Sequence, residues 1–209
     1  MREIGLVRSA VRKGELVRLE IECPLIRAGL SEGDSVAVDG CDLTAVELTG
    51  KGFFCDAGLE TLRRTTIGEL EAGSRVNLEP SLTPSTPISG HFVLGHVDGV
   101  GVVKSLVRRK DQAELVVSPP RELLKFIAEK GSIALSGVAL TVVSVSSTEF
   151  STWLIPYTLE HTTLGELSAG RRVNLEVDVL ARYVVRALEA GVERESRLTE
   201  EFLREQGFD

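Results

Sequence analysis

The residues "SGHFVLGHVDGVG" at 89–101 hold two of the chain's three histidines, His91 and His96, among glycines and apolar side chains. Imidazoles in such a setting can move protons or contact a ligand, because flanking glycines let a ligand approach the backbone. They can equally cap strand ends. A metal is not expected, since His161 stands apart and no carboxylate cluster accompanies the pair. A second set is Thr65-Thr66 and Thr162-Thr163, with Thr44 and Thr141. Hydroxyls both donate and accept, and beside apolar residues such as Ile155 and Pro156 they suit a flat heterocycle with polar edges. Threonine also simply favours strands. Its recurrence in register favours the ligand reading.

That register belongs to an internal repeat. An offset of 97 residues pairs Thr44 with Thr141, Gly40 with Gly137, "GEL" at 68–70 with "GEL" at 165–167, and "RVNLE" at 75–79 with "RVNLE" at 172–176. "LVRLEIE", "SVAVDG", "ELVVS", "SIALSG" and "LTVVSV" alternate with a period of two, and glycines punctuate them. Such a pattern predicts small antiparallel barrels, with "RVNLE" as a closing strand of each. A short helix is expected in each copy, most clearly over 120–131, where proline opens the segment and glycine closes it. The proline- and serine-rich stretch 79–90 reads as the join. After Asp178 the repeat stops. Apolar residues at 180, 183, 184, 187 and 188 form one helical face, either a lid or an oligomer contact. Gly191 is expected to interrupt that helix, and "ESRLTEEFLREQGF" to resume as a second one.

With 43% hydrophobic and 26% charged residues the composition is that of a globular protein, and the net charge of −7 argues against a nucleic-acid partner. "VRRK" at 107–110 reads as a solvated turn. No apolar run is long enough to span a membrane. Cys23, Cys41 and Cys55 lack metal-ligand spacing and read as reduced thiols in a cytoplasmic protein.

Taken together, "GCDLTAV", "ETLRRTTIGELEAGSRVNLEP", "GHFVLGHVDGVG", "LTVV", "LIPYTLEHTTLGEL" and "RVNLEVDVLARYV" resemble riboflavin synthase, over about Ile4 to Arg186. The resemblance implies an all-β fold of two tandem six-stranded Greek-key barrels followed by a C-terminal α-helix. The corresponding division is 1–88, 89–178 and 179–209, with three chains associating through the last segment. It implies that each barrel binds 6,7-dimethyl-8-ribityllumazine. Two such molecules then exchange a four-carbon unit between the N-barrel of one chain and the C-barrel of its neighbour, giving riboflavin and a pyrimidinedione without metal or redox cofactor. A dismutation of two identical molecules needs two related pockets, and proximity supplies much of its rate. By the same resemblance His96 and Lys130 are the catalytic candidates; Asp42, where the family has Cys, is a third as a new base. Thr44, Thr65, Thr66, His91, Thr141, Ile155, Pro156, Thr162 and Thr163 are ligand contacts.

Six positions depart from the family's pattern. Glu3 and Ile4 replace Phe and Thr, and Asp42 replaces Cys, with Cys41 one residue early and so on the opposite strand face. Leu94 replaces Ser, Ser136 replaces Asp, and Ala139 replaces Ser. Three activities remain open: a divergent riboflavin synthase, a cyclase repurposed for cycloaddition of a less polar substrate, and a non-catalytic lumazine or flavin carrier.

Overall fold

The computed structural model describes residues 1–83, 86, 90–195 and 204. Six strands close the first barrel: β1 (Glu3–Lys13), β2 (Leu16–Glu22), β3 (Ser35–Val38), β4 (Cys41–Leu48), β5 (Gly52–Ala57) and β6 (Arg75–Pro80). Their order is β1-β2-β5-β4-β3-β6, every pair antiparallel. The second barrel uses β7 (Gly99–Arg109), β8 (Gln112–Ser118), β9 (Ser132–Leu135), β10 (Val138–Val145), β11 (Phe150–Leu154) and β12 (Arg172–Val177) in the equivalent circuit. Alternation along β4 shows why these sequences make barrels. Cys41, Leu43 and Ala45 point inward and are buried, while Asp42, Thr44 and Val46 point out. Phe53, Leu19, Ile21 and Leu78 fill one core, and Phe150, Leu115, Ile133 and Leu154 the other. Each such side chain contributes about 1.5–3 kcal/mol by leaving water. Bulges recur at matching places, Ala45/Glu47 in β4 and Val142/Ser144 in β10, and add the bend a narrow barrel requires.

The two barrels join back to back. The β3–β4 turn holds Asp39 and Gly40 at φ 45 and 76, and the β9–β10 turn holds Ser136 and Gly137 at φ 43 and 79. A Cβ on Gly40 would sit 2.5 Å from the Gly137 nitrogen, so only glycine allows the turns to meet. Around them Asn77 of β6 donates to the Ser136 carbonyl (3.0 Å) and accepts from the Thr163 amide (2.9 Å). Asn174 of β12 repeats this with the Asp39 carbonyl (2.9 Å) and the Thr66 amide (2.8 Å). Reciprocal ion pairs, Arg75 with Glu166 and Arg172 with Glu69, frame the same seam.

Between strands lie α1 (Pro24–Arg27), α2 (Leu59–Arg64) and α3 (Pro156–His161), and α4 (Val179–Glu195) follows the second barrel. Two sequence expectations are corrected. Residues 121–126 form a 3-10 turn rather than a helix reaching 131. Lys130 donates to the Val142 carbonyl and Val142 to that of Gly131, which takes this part of the chain into the sheet. Gly191 does not interrupt α4, which runs on to Glu195. A glycine in an exposed helix interior costs only about 1 kcal/mol relative to alanine. Except for Glu195 and Arg204, the second C-terminal helix expected from the sequence lies outside the described residues, as do 84, 85 and 87–89 of the join. Among the described residues no helix is long and apolar enough to cross a membrane.

Candidate functional site

The segment 90–98 is not a strand but a bridge between the barrels. Its Gly95 carbonyl accepts from the Asp42 amide (3.0 Å), tying it to β4. The amides of Leu94 (2.6 Å) and Gly95 (3.0 Å) donate to the carboxylate of Glu176, tying it to β12. Burial raises the Glu176 carboxyl above its ordinary range, and the amides pull it partly back. Gly95 sits at φ 78, and a Cβ there would meet the Asp42 Cβ at 2.7 Å. The bridge can therefore lie directly on Asp42.

Three of the six departing positions converge here. Asp42, Leu94 and Ala139 line one cavity of about 390 Å³ together with Met1 and His91. Asp42 accepts from the Ser35 hydroxyl (3.0 Å). Neither ring nitrogen of His91 has a partner among the described residues. Burial lowers its pKa, opposed by the nearby Asp178 carboxylate, so the ring is neutral at neutral pH. The other departing positions are elsewhere. Glu3 accepts from the Leu25 (3.3 Å) and Ile26 (2.9 Å) amides, satisfying the free N–H groups at the start of α1. Ile4 is half-buried in β1. Ser136 is buried in the seam turn, where its carbonyl serves Asn77.

His96 lines a separate cavity with Arg64, Leu94, Arg182 and Tyr183. Lys130 and Thr141 line neither cavity. Lys130 adopts φ 64, a left-handed conformation costing roughly 1–2 kcal/mol that glycine would avoid, and its repeat counterpart is Gly33 at φ 91. It bonds through its amide to Val142, next to Thr141 on β10. Thr44 and Thr141 are both exposed on outward faces, and Ile155 and Pro156 are exposed just after β11. From the pairing of Val142 with Thr152, the chain runs to Ile155 toward the Ala139 end of β10.

The threonine pairs have other neighbours. Thr65 and Thr162 are buried, donate to the Thr61 (2.6 Å) and Thr158 (2.7 Å) carbonyls, and accept from the amides of the following 3-10 turns. Thr66 donates to Asn174 (3.1 Å), and Thr163 lines the seam groove. These pairs shape the seam, whereas Thr44 and Thr141 face outward. Sequence patterning places Asn77, Asn174 and Glu176 in strands and assigns them no further role. For Asn77 and Asn174 the signal is an asparagine on the nominally outward register of a strand, repeated identically in both copies. No thiol offers a nucleophile. Cys23, Cys41 and Cys55 are buried, and burial pushes them to about 12, 11 and 12.

Two closed six-stranded barrels, repeated in sequence and locked through a pseudo-symmetric seam, define a tandem-barrel protein with two related outer faces. The family model described as the lumazine binding domain matches residues 1–81 and again 94–178. The riboflavin synthase of Photobacterium phosphoreum is 35% identical over 208 residues, covering 98% of this chain and 95% of that protein. That of Brucella abortus is 43% identical over 192 residues, covering 88% and 94%. LumP complexed with riboflavin superposes with a TM-score of 0.80 at 25% identity, over 84% of this chain and 96% of that one. LumP complexed with 6,7-dimethyl-8-(1'-D-ribityl)lumazine gives 0.77 at 25% identity, over 84% and 95%. The chain belongs to the riboflavin synthase family.

Proposed function

We propose that the protein binds lumazine- or flavin-like heteroaromatic molecules on the outer faces of both barrels. The proposed reaction is dismutation of two 6,7-dimethyl-8-ribityllumazine molecules to riboflavin and a pyrimidinedione. The observation that carries this reading is the repeated hydroxyl face, Thr44 on β4 and Thr141 on β10, both exposed at the same register of two barrels. One molecule of ligand on each face is the natural use of such a duplication. Asp42 and His96 belong to the bridge side of the first barrel, while Lys130, Thr141, Ile155 and Pro156 belong to the second. By the resemblance to riboflavin synthase, a complete site takes one face from each of two chains. The exposed apolar row of α4, Leu180, Tyr183, Val184 and Leu188, supports association, which we assign as a trimer.

In this scheme the paired ligands gain most of their rate from orientation. Asp42 accepts the proton leaving the ring methyl of one ligand, His96 and Lys130 serve proton transfer at the other, and His91 contacts the ligand as a neutral ring. A second reading, a carrier that binds without turnover, is favoured by the absence of an available thiol and by the methyl of Ala139 where a hydroxyl would be expected. The apolar lining that Leu94 and Ala139 give one cavity is what a cycloaddition of a less polar substrate would use.

The test is to mix the purified protein with 6,7-dimethyl-8-ribityllumazine, following ligand fluorescence and riboflavin formed beyond an enzyme-free control. Turnover that falls at least tenfold in Asp42→Asn supports the synthase with Asp42 as base. Binding without product selects the carrier. Neither binding nor product overturns the lumazine reading and directs the search to apolar substrates.

A further inference from the structure

Where β5 passes into α2 and β11 into α3, the repeat offset sets Asp56 against Trp153, Gly58 against Ile155, and Glu60 against Tyr157. Asp56 and Trp153 both point outward, since the residues on either side of each are buried. Each lies beside a repeated threonine. Thr44 and Asp56 are one residue beyond the Ala45–Cys55 pair of β4 and β5, and Thr141 and Trp153 are one beyond the Val142–Thr152 pair of β10 and β11. The surroundings of the two differ. Asp56 stands across from Arg18 of β2, which reaches it at 3.9 Å, pairs with Glu47 at 2.6 Å and lies over the Phe54 ring at 4.9 Å. Trp153 stands across from Glu114, and the serines at the positions of Glu47 and Phe54, Ser144 and Ser151, bond to each other (2.7 Å). Tyr157 has one ring face on His161 and is 64% exposed, so its other face is open, and Ile155 is exposed beside it in the chain. Indole and phenol rings hold a flat molecule by stacking, whereas a carboxylate takes hydrogen bonds from hydroxyl and N–H groups.

We infer that Trp153 is a specificity-determining residue that makes the two outer faces unequal. With Ile155 and Tyr157 it lets the second face hold a flat ring by its plane alone. Asp56 makes the first face select its molecule through the polar side chain that the ring carries. This division rests on the heteroaromatic-ligand reading above and assigns different demands to the two faces that share one ligand.

Trp153 is the only tryptophan of the chain, so its indole N–H gives a single resonance that reports the second face. The experiment titrates the intact nitrogen-15-labelled protein with 6,7-dimethyl-8-ribityllumazine and with 6,7,8-trimethyllumazine, which keeps the ring and lacks the ribityl chain. Calorimetry follows total binding in parallel. The indole resonance is expected to move with both compounds, at dissociation constants within about threefold of each other. Calorimetry is expected to find a site on each face for the ribityl compound and on one face only for the trimethyl compound. Trp153→Thr keeps a strand-favouring residue, and Tyr157→Ser changes an exposed position of α3. Each is expected to weaken the trimethyl compound about three- to tenfold, the worth of one stacking contact, and to leave the first-face site for the ribityl compound unchanged. An indole resonance that stays still while calorimetry shows binding overturns the inference. So does one that moves only with the ribityl compound, or a trimethyl compound that fills both faces. If calorimetry shows neither compound bound, the heteroaromatic reading fails separately, and 1-naphthol decides the stacking wall. A saturable indole shift that is weakened in Tyr157→Ser supports the wall, and no shift overturns it.

Discussion

Single residues separate the two copies more than their shared scaffold suggests. Asp39 and Ser136 occupy the same turn position, yet only Asp39 carries a titratable group into the seam. Its carboxyl accepts the Asn77 amide (2.8 Å), and burial pushes its pKa up to about 7. The folded protein therefore holds this proton more tightly than the unfolded chain, whose aspartate titrates near about 4. Stability falls as pH rises between those values, and the penalty is complete above about 7. Asp39→Asn keeps the acceptor and removes the charge. Urea unfolding from pH 4 to 8 is expected to show its advantage growing from nothing at the acid end to a maximum at the alkaline end. The same slope in both proteins would refute the assignment.

Among the elements, α4 is the one whose environment is incomplete. Val179, Ala181 and Val185 are half-buried, and Lys125 pairs with Glu189 (2.6 Å). Leu180, Tyr183, Val184 and Leu188 face solvent. A row of this kind is costly to leave in water and is the place where copies of the chain would meet. If the chains associate as proposed, Val184→Asp is expected to convert the trimer to monomers in sedimentation velocity while far-ultraviolet circular dichroism stays unchanged. An unchanged sedimentation coefficient would place the association on another surface. The short helices of the two copies differ as well. At repeat-related positions α2 has the Glu60–Arg64 ion pair, whereas α3 has Tyr157 stacked on His161 at 4.1 Å. Of these two helices α2 is therefore the more polar.

For the whole molecule the seam decides whether two barrels behave as one. Asn77 and Asn174 are fully buried and bridge positions from 59 to 135 residues apart. Truncating either leaves buried donors and acceptors unpaired, costing about 2–4 kcal/mol. The ion pairs outside them are half exposed and add little. Calorimetry is expected to give one unfolding transition for the unaltered protein and two for Asn77→Ala combined with Asn174→Ala. Two transitions in the unaltered protein would mean that the barrels fold independently and the seam couples nothing.

The sequence by itself determined the duplication, the strands, the two barrels and the helical face of α4, because these rest on local spacing. A period of two put Cys41 and Asp42 on opposite faces of one strand without knowledge of any distant residue, and the closed barrel made Asp42 the exposed one. The repeat also put Thr44 and Thr141 at the same register of the two copies. What it could not determine is which outward faces meet something. Local turns satisfied the hydroxyls of Thr65 and Thr162, while tertiary structure took that of Thr66 into the seam, buried Asn77 and Asn174 against the opposite barrel, and gathered Asp42, Leu94, Ala139 and His91 around one cavity. It also turned Glu176 and Asp98 toward backbone amides. The reason is physical. Alternation is written between neighbours in the chain, whereas a polar group's partner is set by how two closed barrels pack, and those partners lie up to 135 residues away.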